Sequence, residues 1–316
     1  MATGTTADGS VHHAGSHGRL AMKELVAGAC SGTIAAMCTA PLDLAKTRMQ
    51  VQRQYLEPRP HQIASGVRYA TLSGTLRRTL REEGTRGLFK GLGSTILGLV
   101  PNWALYFASY GRLKAILSEG LMKDFGANST HVVAASAAGA ITTCATNPLW
   151  LVKVRLQTQF AGKTDRPIYR GIAHAFVRIY KEEGIRGFYR GLPASLMGVS
   201  HVAIQFPLYE VLKAYYRVDH SGELGLWSLI KASSFSKIVA SSVTYPHEVI
   251  RTRFQKQGAS QTYTSVGQCV AKIYKEEGFR AFFRGMSANL IRVVPACAVT
   301  FTTFEYSLRL LDDIFL

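Results

Sequence analysis

The stretch Pro41-Leu42-Asp43-Leu44-Ala45-Lys46-Thr47-Arg48-Met49-Gln50 decides the fold, because it is met twice more along the chain. It returns as Pro148-Leu149-Trp150-Leu151-Val152-Lys153-Val154-Arg155-Leu156-Gln157 and as Pro246-His247-Glu248-Val249-Ile250-Arg251-Thr252-Arg253-Phe254-Gln255. Each copy ends an apolar run and is followed by a second echo: Glu83-Gly84…Phe89-Lys90-Gly91, Glu183-Gly184…Tyr189-Arg190-Gly191 and Glu277-Gly278…Phe283-Arg284-Gly285. Two ordered motifs, each seen three times in one phase, are not chance. A length of 316 residues would suggest about two soluble domains, but repetition overrides that prior. The chain reads as a tail over 1–19 and three similar units over 20–120, 121–220 and 221–316.

Mean hydropathy is only +0.07, yet the runs Leu25 to Leu42, Leu92 to Tyr110 and Val132 to Val152 carry no Lys, Arg, Asp or Glu. Each is about long enough to cross a bilayer core. Six tilted spans are read, over 22–53, 91–118, 127–160, 191–217, 227–258 and 285–313. Within each pair lies a short, charged amphipathic helix, over 71–83, 171–183 and 266–277, suited to the membrane surface. The fold class is therefore an all-α membrane protein: six transmembrane helices in three pseudo-symmetric repeats, each repeat with one short amphipathic helix on the more negative side of the membrane. Pro41, Pro148 and Pro246 fall inside the odd spans, where a missing backbone hydrogen bond kinks the helix. Gly28/Gly32 and Ala135/Gly139 are small pairs at a spacing that lets helices approach closely.

The net charge of +17 fits nucleic acid, anionic lipid or anionic small molecules. These Lys and Arg residues flank apolar spans instead of forming a soluble basic face, which excludes nucleic acid as partner. Basic stretches from Arg77 to Lys90 and Lys163 to Arg190 place the long connections on the more negative side of the membrane. Cys30, Cys38, Cys144, Cys269 and Cys297 lack metal-like spacing and read as reduced thiols. Residues 1–18 are rich in Gly, Ser, Thr and His, so they read as a disordered tail without an apolar signal core. His12, His13 and His17 belong to that tail. No nucleophile–base constellation or metal cluster appears, so an enzyme is not expected, nor a cofactor.

These motifs resemble the mitochondrial carrier family over about residues 20 to 313. The resemblance implies a central cavity with threefold pseudosymmetry and alternating access through two ionic gates, in a monomer. The matrix gate would pair Asp43 with Lys153 and Glu248 with Lys46. Trp150 stands where the family has an acid, so its contact with Arg251 would be a cation–π one of roughly 0.5–2 kcal/mol. Gln50, Gln157 and Gln255 match the family's glutamine braces. At the other gate Tyr209-Glu210…Lys213 matches the family fully, while Tyr110-Gly111…Lys114 and Phe304-Glu305…Leu308 depart from it. Glu305 with Lys114 is the remaining complementary pair there. Phe89-Lys90-Gly91 and its echoes stand at helix N-termini, which attract phosphate; the resemblance implies bound cardiolipin.

Thirteen residues before Gly111, Glu210 and Glu305 stand Gly98, Met197 and Arg292, the family's level of substrate contact. One cation among two uncharged positions suits a bulky planar group with phosphates better than a small dicarboxylate. Trp150 at the acid position and Ser236-Lys237-Ile238 resemble the branch that carries NAD, pyrimidine nucleotides, folate or FAD. Asn102-Trp103-Ala104, Ser200-His201-Val202-Ala203-Ile204-Gln205 and Tyr245-Pro246-His247-Glu248 look most like NAD carriers. The expected substrate residues are Gly98, Leu99, Asn102, Trp103, Met197, Gly198, His201, Gln205, Lys237 and Arg292. Trp103 either stacks on a base or packs helices, and Gln205 either bonds a base edge or packs. His201 is read as a packed polar residue ahead of a proton relay. Lys237 faces water or a ligand, or else pairs with a neighbouring helix. The resemblance implies import of NAD in exchange for AMP or ADP across the mitochondrial inner membrane, with plastid or peroxisomal membranes as further sites. A pyrimidine nucleotide carrier and a folate or FAD carrier are the alternatives, and an ion channel or proton leak is the reading from another class.

Overall fold

A computed structural model describes residues 8–51, 71–119, 127–159, 169–219, 225–256 and 263–314. All regular structure among them is helical: α1 (Asp8–Gln50), α2 (Leu72–Leu88), α3 (Leu92–Glu119), α4 (Ala127–Thr158), α5 (Ile172–Gly187), α6 (Leu192–Leu196), α7 (Val199–Asp219), α8 (Leu226–Gln255), α9 (Val266–Glu277) and α10 (Met286–Ile314), with a 3₁₀ helix over Phe279–Phe283 leading into α10. Each unit runs long helix, short helix, long helix. Helix α1 packs chiefly on α10, α3 on α4 and α7 on α8, so successive units join in a closed order.

The short helices form at the expected places, with Thr71 and Ser265 as N-caps that accept from the amides of Gly74 and Gln268. Each presents one stripe, four residues apart, to its long helix: Ala175 and Ile179 in α5, Cys269 and Ile273 in α9. In α2 the same positions hold Thr75 and Thr79, buried because their hydroxyls donate to the carbonyls one turn back. Each helix proper ends at its echo's Glu-Gly, where Gly84, Gly184 and Gly278 take positive φ.

The repeated glutamates close the ring of units. Glu83 bonds Arg48 at 2.8 Å and Lys90 at 2.5 Å; Glu183 bonds Arg155 at 2.5 Å and Arg190 at 2.8 Å; Glu277 bonds Arg253 and Arg284, both at 2.5 Å. The same three arginines reach across units. Arg48 donates to the carbonyl of Gln157 at 3.1 Å, Arg155 to that of Gln255 at 3.3 Å and Arg253 to that of Gln50 at 3.2 Å. A cation thus satisfies the open carbonyl end of the neighbouring long helix. The last glycine of each echo lets the backbones meet there. Gly91, Gly191 and Gly285 have φ of 83°, 77° and 83°, and a Cβ on Gly285 would lie 3.0 Å from the Lys46 carbonyl oxygen.

Three expectations are corrected. The tail over 1–19 is helical from Asp8, continuous with α1; extending an existing helix avoids the cost of nucleation. The span over 191–217 is broken at Met197–Gly198 between α6 and α7. Hydrogen bonds there run three residues back, Gly198 to Ser195 and His201 to Gly198, a 3₁₀-like tightening that puts His247 against Gly198. The small-residue stripe lies one position away from the expected pairs: Ala27, Ser31 and Ala35, and Ala134, Ala138 and Thr142, are buried, whereas Gly28 and Gly139 face open space. A shift of one residue rotates the packed face by about 100°. By composition, two helices among the described residues, Thr130–Thr158 and Phe279–Leu311, are apolar and long enough to cross a membrane. Helices α1 and α8 carry interior ionic groups such as Lys46, Lys237, Glu248 and Arg251 that lower their averages.

Candidate functional site

The three proline motifs place their ionic groups where α1, α4 and α8 converge. Lys153 Nζ lies 2.7 Å from Asp43 Oδ2, and Lys46 Nζ lies 2.5 Å from Glu248 Oε2, all four side chains being largely buried. Both expected pairs form. An amide layer supports them: Gln157 donates to Asp43 at 3.0 Å and accepts from Thr47 at 2.9 Å, and Gln50 accepts from Thr252 at 2.8 Å and donates to Tyr245 at 3.0 Å. The hydroxyl of Tyr245 passes the bond on to the Arg284 carbonyl. Thr47 and Thr252 hold equivalent motif positions, a repeat visible in the sequence whose role was missed, as was that of Tyr245.

The seam between α4 and α8 differs. The expected contact of Trp150 with Arg251 does not form. The indole N–H donates to Thr146 one turn back on the same helix, at 3.1 Å, which swings the ring over Gly98, where a Cβ would lie 3.7 Å from it. The cation near that ring is Lys153, 5.3 Å from its centroid. Arg251 has no ion pair or side-chain hydrogen bond among the described residues. Val154 stands where the other units have Thr47 and Thr252. Among the described residues the side chain of the third brace, Gln255, therefore has only a long bond of 3.5 Å to Asn147, and its Oε1 is buried without a partner.

A cavity of about 350 Å³ opens between these helices, lined among others by Asn102, Thr146, Trp150, Arg251 and Gln255 together with the two ion pairs. Of the expected substrate residues, Asn102 lines it and accepts from Thr146 at 3.3 Å. Gly98 lies beneath Trp150 and Leu99 beside Gly32. Arg292, on α10, donates to Asn289 at 3.3 Å and has a buried, unpartnered Nε. It is close enough to act electrostatically on Asp43, Lys46, Glu248 and Lys237. Lys237 is half-buried and forms no ion pair among the described residues. His201 meets the Thr244 hydroxyl at 3.2 Å, and Gln205 is half-buried beside it. Met197 and Trp103 are 50% and 53% exposed, and Trp103 stacks on Phe107 of its own helix.

At the opposite end the expected pair of Lys114 with Glu305 is not formed. Glu305 is taken by Arg309 on its own helix at 2.6 Å, and Glu210 lies 3.9 Å from Lys213 on α7. No ion pair joins two helices there among the described residues, whereas two join helices at the proline end. A second cavity of about 350 Å³ lies at the start of α3, lined by Lys90, Gly91, Ser94, Tyr169, Arg170 and Gly171 among others.

A profile of the family described as mitochondrial carrier protein matches residues 19–121, 126–220 and 222–314. The chain is 45% identical over 292 residues to "Nicotinamide adenine dinucleotide transporter 2, mitochondrial" of Arabidopsis thaliana, covering 90% of this chain and 78% of that protein. It is 45% identical over 291 residues to the same plant's "Nicotinamide adenine dinucleotide transporter 1, chloroplastic", covering 90% of each. With "Mitochondrial nicotinamide adenine dinucleotide transporter 1" of Saccharomyces cerevisiae it shares 39% identity over 298 residues, 92% of this chain and 77% of that protein.

Proposed function

The chain belongs to the mitochondrial carrier family, and on that premise we propose that it is an antiporter importing NAD in exchange for AMP or ADP. Members of the family are transporters and not enzymes, and the names of the relatives support a nucleotide as cargo and the mitochondrial inner membrane, or a plastid envelope, as location. In this reading the six long helices cross the membrane and the short helices lie on its matrix face.

One observation carries the choice of an anionic cargo. Asp43 and Glu248 are each held in an ion pair by a lysine, so Arg251, Arg292 and Lys237 form no ion pair among the described residues and share only the field of those two already paired carboxylates. Cations held half-buried in this way are costly unless an anion joins them. A pyrophosphate supplies that anion, and Arg292 and Lys237 are placed to hold it by charge-assisted bonds. Asp43–Lys153 and Lys46–Glu248 act as the matrix gate. Buried pairs are marginal once desolvation is counted, so a substrate that draws these lysines or competes with their acids shifts the equilibrium toward opening. Glu210, Lys213, Lys114 and Glu305 then close the cytoplasmic end in the alternate state. The cavity at the start of α3, where Lys90 meets free helix amides, suits a cardiolipin phosphate. The unit works as a monomer, because the pathway lies within one chain.

Lys237→Met tests the cargo reading, since it keeps the stem and removes the charge. NAD should raise the unfolding temperature of the parent protein in detergent and have little effect on the variant, whose own unfolding temperature stays near that of the parent. A variant that still responds fully to NAD but unfolds far earlier would make Lys237 a structural partner of a neighbouring helix.

A further inference from the structure

Three seams join the proline motifs, and one of them is chemically incomplete. The α1–α4 seam has Lys153–Asp43 and Thr47–Gln157; the α1–α8 seam has Lys46–Glu248 and Thr252–Gln50. The α4–α8 seam substitutes Trp150 for the acid and Val154 for the threonine. Both losses strand a polar partner on the facing helix. Arg251 loses its ion-pair partner and keeps only the field of Glu248, which Lys46 already holds, and Gln255, itself fully buried, keeps an Oε1 with no donor. Both line the cavity. A buried acceptor left open costs about 1–3 kcal/mol, so two stranded groups on adjacent turns of α8 are expensive unless something fills them. Trp150 cannot, because its N–H is engaged by Thr146.

We propose that Arg251 and Gln255 form a substrate subsite in which the nucleotide itself completes the third seam. This rests on the nucleotide-antiporter reading. The guanidinium takes a phosphate oxygen pair in bidentate fashion. Gln255 Oε1 takes a hydroxyl or amide donor three or four bonds further along the ligand, as on a ribose. The arrangement selects phosphorylated nucleosides over bare phosphate, which leaves the acceptor open, and over nucleosides, which leave the cation open. Trp150 acts here by withholding a carboxylate that would otherwise occupy Arg251.

The test is thermal unfolding of the full chain in detergent, with NAD, UTP or inorganic pyrophosphate added, for the parent, Arg251→Gln and Trp150→Asp. In the parent, NAD should stabilise more than pyrophosphate. Arg251→Gln should keep the ligand-free midpoint, since no ion pair is lost, and weaken NAD at least about tenfold, or 1.4 kcal/mol. Trp150→Asp should raise the ligand-free midpoint and also weaken NAD, because the new carboxylate competes for Arg251. That variant carries the test if Arg251→Gln does not fold. An Arg251→Gln protein that responds to NAD like the parent overturns the subsite and leaves the NAD reading standing. A parent that responds to UTP and not NAD, with the response lost in Arg251→Gln, overturns the NAD reading and keeps the subsite. A parent that responds to no nucleotide overturns both.

Discussion

Replacing Arg292 by alanine is expected to abolish nucleotide exchange without unfolding the protein. The side chain interrupts an otherwise apolar part of α10, bonds only Asn289 among the described residues, and buries an Nε with no partner. It faces two lysines, Lys46 and Lys237, as well as Asp43 and Glu248. Removing it takes away one cation from a cluster that already repels itself, so the folded state loses little. The bound phosphate loses a charged partner, a change worth about 2–5 kcal/mol, or at least about 30-fold in affinity. Uptake into liposomes, read beside an unfolding curve, separates the two effects. Near-normal NAD uptake by Arg292→Ala would remove it from the site.

The largest expected loss of stability comes from Glu83→Gln. Glu83 and Arg48 are both about fully buried, with side-chain exposures of 2% and 1%. The carboxylate also holds Lys90, at the start of α3. Neutralising it removes the carboxylate that Arg48 holds in the interior, a change worth about 3–5 kcal/mol, and loosens both the surface helix and the grip of Arg48 on Gln157. Burial alone would raise the Glu83 carboxyl, but hydrogen bonds and charge from Arg48, with those from Lys90, outweigh it and hold the group below the usual glutamate value. A folded value below the unfolded one stabilises the protein fully above the unfolded value, about 4.3, and the gain is lost as pH falls through the depressed one. The variant should therefore unfold at lower temperature near neutral pH and show a shallower acid limb. An unchanged midpoint would mean that the ring of units does not depend on this pair.

The architecture was legible because it is periodic. Three prolines, three acid or aromatic positions and three Glu-Gly echoes fix the long and short helices, and the resemblance to the carrier family places Lys153 on Asp43 and Lys46 on Glu248. What escaped the sequence is directional. Trp150 was expected over Arg251, but a hydroxyl one turn back, on Thr146, sets where an indole points, and no spacing rule reports that. The buried stripe of α1 was placed on Gly28 and Gly32, yet Ala27, Ser31 and Ala35 carry it; every one of these residues is small, so size alone could not choose the face. The pair Lys114–Glu305 is complementary on paper, whereas Arg309, one turn on in the same helix, takes Glu305. The glutamates at 83, 183 and 277 were visible as an echo, but their bonds to Arg48, Arg155 and Arg253 join motifs that lie apart in sequence.

Purified protein in liposomes loaded with AMP should take up labelled NAD to saturation and release AMP as it does so. Empty liposomes should take up almost none, and UTP, folate and FAD should compete poorly. Transport of one of those three in place of NAD, or NAD entry that ignores the internal nucleotide, would contradict the assignment of a NAD–adenine nucleotide antiporter.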